Sequence, residues 1–219
     1  IIKLLMDEFE AAGGTLTLST TIGAVRHADS QFFVETSAGA YTARNLVVAT
    51  GGLSIPKMGA SAFAYDLARQ FGHAIVPTRP ALVPFTFSGQ LKESFADLSG
   101  VACPVDAKAE RGPDFHEAML FTHRGLSGPA MLQVSSYWRE TEAVEIDLLP
   151  GQPVADLLTE AKAAAPKQAL STWLAGLFPA RLAQQIAAWP TIPATKQLAN
   201  LSKQDITAIA DALGHWKIV

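Results

Sequence analysis

A change of pattern at Pro150–Gly151 constrains the fold of this chain more than any other feature of its sequence. Before this point, short apolar stretches are separated by Gly, Pro and Ser turns, a pattern typical of β-strands. After it, residues 152–213 are rich in Ala, Leu and Gln, and prolines divide them into a few short helices. The sequence therefore predicts an α+β fold in which a helical subdomain follows a β-rich one.

The first 76 residues favour the end of an α/β domain. Residues 15–44 alternate between short strand-like stretches and turns, which predicts an antiparallel meander. The continuous apolar run Leu46–Ala49 predicts a strand buried on both faces, as in a parallel sheet. Apolar residues at helical spacing over 64–71 then predict a helix that ends at Gly72.

The remaining residues divide into three parts by the same criteria. Residues 77–150 are expected to form a β-rich subdomain and residues 151–213 a helical one, and residues 214–219 resemble the start of a return strand. The chain begins with Ile, and its first apolar residues already have helical spacing; it ends where this strand starts. Both features predict an internal segment of a longer protein.

Composition excludes several classes of protein. The 219 residues are 49% hydrophobic and 17% charged, so the chain can bury a core and is not disordered. A net charge of −3 without a long basic run argues against nucleic acid as a partner. The single cysteine, Cys103, excludes a disulfide framework and a metal site of several thiolates, and we expect it to be an inert core thiol. No apolar stretch approaches the roughly 20 residues of a membrane span, and the pattern suits the cytoplasm.

The first candidate site is Thr50-Gly51-Gly52, directly after the apolar run. In open α/β sheets, ligands lie beyond the carboxyl ends of the strands. Two glycines at such a point let the backbone approach a flat ring or a phosphate without a Cβ between them. On spacing alone, a tight turn after a core strand is the simpler interpretation.

The second candidate is the run from Thr122 to Pro129, where strand-like residues lead into a helix. Ser127 is a plausible N-cap, and Pro129 is tolerated in the first helical turn. Arg124 with the free N–H groups of a helix start, including Gly128, would suit an anion, and His123 could relay a proton. The same run equally suits an ordinary capped helix with solvated side chains.

Arg79 is a third candidate, because a guanidinium group can hold a carboxylate or phosphate of a ligand. From the residues alone, a structural ion pair or a solvated turn is the better interpretation. No residue pattern identifies a catalytic group, so His123 and Arg124 are the only candidates for that role, and no metal site is predicted.

Four runs of the sequence resemble a known family, the bacterial YhiN/BaiN-type NAD(P)/FAD-dependent oxidoreductases. The matching runs follow in the same order at residues 46–59, 64–73, 77–86 and 120–130, and the similarity extends over nearly the whole chain. The run Thr-His-Arg-Gly-Leu-Ser-Gly-Pro-Ala at 122–130 is the most specific of them. At 59–64, where many members have a Gly-Ser-Thr-Gly-Asp-Gly-like run, this chain has Gly-Ala-Ser-Ala-Phe-Ala.

The resemblance implies an FAD domain interrupted by an insert with a β-rich part and a helical part. It implies that Thr50, Gly51 and Gly52 approach the FAD and that hydride passes between NAD(P)H and a small organic substrate. The family's amino-terminal glycine motif and carboxyl-terminal FAD segment are absent from this sequence. The isolated chain is therefore expected to lack FAD and to be inactive.

Two other functions stay open at this point. One is a noncatalytic module that docks a protein or nucleic acid on its helices. The other is a flavin-dependent enzyme acting on RNA bases, which would need a basic channel that the sequence does not show.

Overall fold

The computed structural model describes all 219 residues, and they form two compact units, Ile1–Pro77 and Thr78–Val219. Both units contain helices and strands, so the predicted α+β class is confirmed. No helix in the chain combines the length and the apolar character needed to cross a bilayer.

The first unit is built on an antiparallel meander between two helices. Its elements are α1 (Ile2–Ala11), β1 (Ile22–Ala28), β2 (Gln31–Thr36), β3 (Gly39–Ala43) and α2 (Phe63–Gln70). The strands pair in the order β1-β2-β3, as the sequence predicts. Val25 of β1 and Leu67 of α2 are the buried residues of this unit, and the Gln70 amide donates a hydrogen bond of 2.6 Å to the Val25 carbonyl.

The prediction of a buried strand at Leu46–Ala49 is wrong. These residues have no strand structure, and Val47 and Val48 are 84% and 42% exposed. A parallel strand must hydrogen-bond to neighbouring strands, and the three strands of this unit pair only with one another. The strand-like residues at 15–18 fail for the same reason, since Leu16 and Leu18 are also exposed and unpaired.

The second unit is organised around one six-stranded antiparallel sheet. Its strands are β4 (Phe85–Thr86), β5 (Ala102–Ala109), β6 (Phe115–Thr122), β7 (Gly125–Ser127), β8 (Val144–Asp147) and β9 (Trp216–Ile218). They pair in the order β4-β7-β6-β5-β8-β9. The last strand of the chain, where the sequence predicts the start of a return strand, therefore pairs with β8 in this unit.

Six helices complete the second unit. They are α3 (Gly89–Ser94), α4 (Pro129–Ser135), α5 (Val154–Ala164), α6 (Leu170–Leu177), α7 (Ala180–Ala187) and α8 (Lys203–Gly214). Helix α8 begins with a capping box: the Asp205 amide donates to the Ser202 hydroxyl over 3.1 Å, and the Ser202 amide donates to the Asp205 carboxylate over 2.7 Å. Both bonds satisfy amides that a helix start leaves without intrahelical partners.

Strands and helices of the second unit share one hydrophobic core. Met119 and Ile146 from the sheet and Leu158, Leu174 and Leu213 from the helices are completely buried in it. The change of pattern at Pro150–Gly151 is therefore a change of secondary structure within one compact unit.

Cys103 is buried in this core, as the sequence predicts. It is 6% exposed, and burial raises the pKa of its thiol to about 11 because the charged thiolate is poorly solvated there. The thiol is protonated at neutral pH and cannot serve as a nucleophile.

Candidate functional site

The Thr50-Gly51-Gly52 turn presents bare backbone in the first unit. All three residues are exposed. Gly51 has a φ of +73°, and no atom lies within 4 Å of the position that a Cβ would take. A Cβ on Gly52 would lie 3.6 Å from the hydroxyl of Tyr65, a half-buried residue of α2 that sequence reasoning missed. An open backbone without a Cβ fits contact with a flat ring such as a flavin.

The turn between β6 and β7 is held by a single hydroxyl. The Thr122 Oγ1 accepts from the amides of Arg124 (3.2 Å) and Gly125 (3.1 Å), and it lies 3.1 Å from the Gly125 carbonyl oxygen. The side chains of His123 and Arg124 are exposed and make no hydrogen bond or ion pair. The structure thus leaves both groups available to a ligand.

The prediction that Ser127 caps the following helix is wrong. Ser127 is the last residue of β7, where it pairs with Leu120 of β6. The N-cap of α4 is Gly128, without a side-chain hydrogen bond, and Pro129 occupies the first turn as predicted. Because strand pairing continues through Ser127, the helix starts one residue later, and its seven residues give only a small dipole.

Gly125 and Gly128 are required by packing. A Cβ on Gly125 would overlap the carbonyl oxygen of Phe85 in β4. A Cβ on Gly128, whose φ is +92°, would lie 2.6 Å from the carbonyl oxygen of Ala118 in β6. These glycines let β7 and the start of α4 approach their neighbours closely, which explains their positions without an anion.

A cleft of about 990 Å³ opens in the second unit between residues 78–88 and the turn that follows α4. Ser135, which is 7% exposed, joins its two sides. The Val83 amide donates to the Ser135 hydroxyl over 3.0 Å, and that hydroxyl donates to the Leu132 carbonyl over 2.7 Å. This bond holds the segment against α4 at Val83, four residues after Arg79.

Aromatic rings line part of this cleft. Phe85 and Trp138 meet edge to face, with ring centroids 5.4 Å apart and planes at 86°. The Trp138 indole N–H donates to the Glu142 carbonyl over 2.8 Å, which fixes the ring. Both side chains are half-buried, so part of each ring faces the cleft.

Three arginines line the cleft, against Glu140 and the Glu142 carboxylate that pairs with Arg111, so one positive charge is in excess. Arg111 is paired with the buried Glu142 over 3.1 Å, and the Arg139 guanidinium donates to the carbonyl of Trp138 over 2.9 Å. Arg79 is exposed and makes neither a hydrogen bond nor an ion pair. Of the two interpretations that the sequence favours for Arg79, the ion pair is absent and the solvated turn fits. The carboxylate at the rim is Glu140.

The structure brings together two of the three predicted sites. The Phe87 amide donates to the Arg124 carbonyl over 2.8 Å, so the 122–125 turn adjoins the strand segment that lines the cleft with Arg79. Thr50–Gly52 lies in the other unit. Sequence reasoning missed Trp138 and Arg139, since they are far from Arg79 in the chain and no motif links them.

A second charged group lies on strands β5, β8 and β9 of the same sheet and is internally satisfied. The Glu145 carboxylate contacts His215 at 2.9 Å, Lys108 at 3.2 Å and Lys217 at 3.3 Å. The hydrogen bond with His215, followed by those with the lysines, lowers the pKa of Glu145 to about 2. Because the carboxylate is already matched by cations, we assign this network to cross-strand stabilisation.

The second unit is a mixed sheet-and-helix domain, the first carries an exposed glycine turn, and comparisons with known proteins give the family of the chain. The HI0933-like protein barrel and H2TH domain matches residues 79–219, nearly the whole second unit. The chain belongs to the HI0933-like family, which is the flavoprotein family that its sequence resembles.

Curated relatives extend the similarity over both units. The chain is 38% identical to the ribosomal RNA dihydrouridine synthase of Haemophilus influenzae over 99% of its length, and 41% identical to that of Escherichia coli over 100%. It is 25% identical, over 83% of its length, to the 3-dehydro-bile acid delta(4,6)-reductase of Clostridium scindens. The aligned regions cover 55%, 54% and 47% of these relatives, so the chain spans about half their length.

Proposed function

We propose that this chain is part of a flavin-dependent oxidoreductase that reduces a uridine of ribosomal RNA to dihydrouridine. The observation that carries the proposal is the 38% and 41% identity, over essentially the whole chain, to two proteins named ribosomal RNA dihydrouridine synthases. The proposal departs from the expectation that nucleic acid is not a partner. That expectation depends on the net charge of the whole chain. A chain with a negative net charge can still bind a phosphate locally, and three arginines line the cleft.

The reaction class follows from the chemistry of the relatives' substrates. Dihydrouridine differs from uridine by two hydrogens across the C5–C6 double bond, which is conjugated with the C4 carbonyl. A delta(4,6)-reductase of a 3-dehydro bile acid also acts on double bonds conjugated with a carbonyl group. In uridine, a hydride adds to C6 and a proton adds to C5. A bound FAD would supply the hydride, drawn from NAD(P)H.

The residues of this chain would position the reactants. Thr50, Gly51 and Gly52 would hold the flavin by backbone contact, because their backbone is open and lacks Cβ atoms at the two glycines. His123 and Arg124 are free to donate hydrogen bonds to the substrate or the nicotinamide dinucleotide. We place the protein in the cytoplasm, where ribosomal RNA and NAD(P)H meet and a free thiol such as Cys103 stays reduced.

A second candidate function is reduction of a small conjugated ketone. The similarity to the bile acid reductase favours it, and the apolar part of the cleft could hold such a molecule. The lower identity makes it the weaker candidate.

The test is incubation of the full-length protein with unmodified ribosomal RNA, FAD and NADPH, followed by digestion and mass spectrometry of the nucleosides. We expect dihydrouridine to accumulate with time and to require the protein and NADPH. Accumulation of a reduced steroid dienone without dihydrouridine would favour the second candidate. Product from neither substrate would contradict both.

Arg124→Ala tests the turn between β6 and β7 in the same assay. The side chain is exposed and unpaired, so we expect weaker binding of RNA or NADPH with nearly unchanged folding. Lys167→Gln, also exposed and unpaired, is the matched control. Unchanged turnover with a melting temperature several degrees lower would show that the arginine only supports the fold.

A further inference from the structure

We propose that the cleft lined by Arg79, Phe85, Trp138 and Arg139 binds a single-stranded stretch of the RNA substrate. The inference rests on the proposed function, since it names where in the second unit the RNA of that reaction is held. No residue of this cleft other than Arg79 was suggested by the sequence.

The aromatic surface suits a nucleobase. The edge-to-face contact with Phe85 and the indole hydrogen bond to Glu142 hold Trp138 in one orientation while part of its ring faces the cleft. A ring that is already fixed loses little conformational freedom when a base stacks on it. Stacking of this kind is a sequence-tolerant contact with single-stranded RNA.

The arginines suit the phosphates of a strand. The Arg111 charge is matched by Glu142, and the Arg139 guanidinium is oriented by the carbonyls of its own turn. Arg79 has no partner in this chain and lies four residues before Val83, where Ser135 holds the segment against α4. An unpaired guanidinium on a fixed segment beside aromatic rings can bind phosphate without first breaking a protein contact.

The cleft suits an RNA strand better than a nicotinamide dinucleotide. The pyrophosphate of a dinucleotide ordinarily sits on a glycine-rich turn at a helix N-terminus. The helices whose residues line the cleft are α3, with six residues, and α4, which contributes only its last residue, Ser135. Separate arginines instead match phosphates spaced along a chain.

The experiment measures the affinity of the full-length protein for a fluorescein-labelled, uridine-containing RNA 12-mer by anisotropy, over a series of salt concentrations. Arg79→Gln is expected to weaken binding about three- to tenfold near 0.1 M salt and to reduce the slope of log affinity against log salt by about 0.7. Trp138→Leu is expected to weaken binding between about fivefold and a hundredfold, whereas Trp138→Phe retains a stacking surface and most of the affinity. Lys167→Gln removes an exposed charge outside the cleft and should leave the slope nearly unchanged.

The outcomes separate this inference from the proposed function. The cleft site alone would be overturned by two results together: the wild-type protein makes dihydrouridine, and the Arg79→Gln variant matches its RNA affinity and salt slope. The same holds if Arg79→Gln raises KM for NADPH only, which would assign the cleft to the dinucleotide. The cleft site would also be overturned if Arg79→Gln lowers the melting temperature without weakening RNA binding. That result would mean that another part of the protein covers the cleft. Wild-type protein that neither binds the RNA nor makes dihydrouridine would overturn the proposed function and this inference together.

Discussion

Replacement of Gly128 by alanine tests whether the run from Thr122 to Pro129 is required by the fold. Gly128 has φ +92° and ψ 164°, a region of backbone space that is essentially restricted to glycine. Occupying it with another residue costs about 1–3 kcal/mol. The added Cβ would also lie 2.6 Å from the Ala118 carbonyl oxygen and 2.9 Å from the Leu120 amide nitrogen, which are backbone atoms of a central strand and cannot rotate away. Such overpacking costs about another 1–3 kcal/mol, so we expect a loss near 4 kcal/mol.

Urea unfolding followed by tryptophan fluorescence is the assay. All four tryptophans lie after residue 137, so the signal reports the second unit. With a slope of about 2 kcal/mol per molar urea, the midpoint should fall by about 2 M. Gly100→Ala is the matched control, because Gly100 has φ +86° but no atom within 4 Å of the Cβ position. It should cost only about 1–2 kcal/mol.

A Gly128→Ala midpoint equal to that of wild type, or to that of Gly100→Ala, would refute the packing argument. The glycine would then have to be explained by a ligand. A large loss at Gly128 together with a small loss at Gly100 would assign most of the cost to the close contact with β6.

Four further predictions concern single features of the chain. Because burial raises the pKa of Cys103 to about 11, the folded chain should react with a thiol reagent at pH 8 far more slowly than the unfolded chain; equal rates would contradict the burial. Ser202→Ala should destabilise the second unit by about 1 kcal/mol through loss of the cap, whereas Ser202→Thr keeps the hydroxyl that bonds Asp205 and should retain most of it. The hydrogen bonds from Ser202 lower the pKa of Asp205 from 3.8 to about 2. The stability that the capping box contributes is therefore present above about pH 4 and is lost as pH falls through 2. An Asp205→Asn variant should lack this acid dependence. The chain expressed alone should purify without flavin absorbance, since it has no glycine-rich pyrophosphate turn, and a yellow preparation near one flavin per chain would contradict this.

The candidate sites show where sequence reasoning reaches its limit. The glycines at 51 and 52, Arg79 and the 122–125 turn were found because unusual residue types stand out in a linear pattern. Trp138 and Arg139 were missed because their importance depends on the segment opposite them, which Ser135 fixes through a contact with Val83. A cleft formed by two distant segments has no local sequence pattern.

The sequence by itself determined the elements whose causes are local. The meander, helix α2 and the capping box at Ser202 depend on residue alternation, turn residues and hydrogen bonds within a few positions. Only the tertiary structure decided whether Leu46–Ala49 forms a strand, where α4 begins and which sheet receives the last strand. These three outcomes depend on whether a partner strand is present and on how closely two backbones approach. The sequence of an apolar run, or of a lone glycine, does not identify the segment that it packs against.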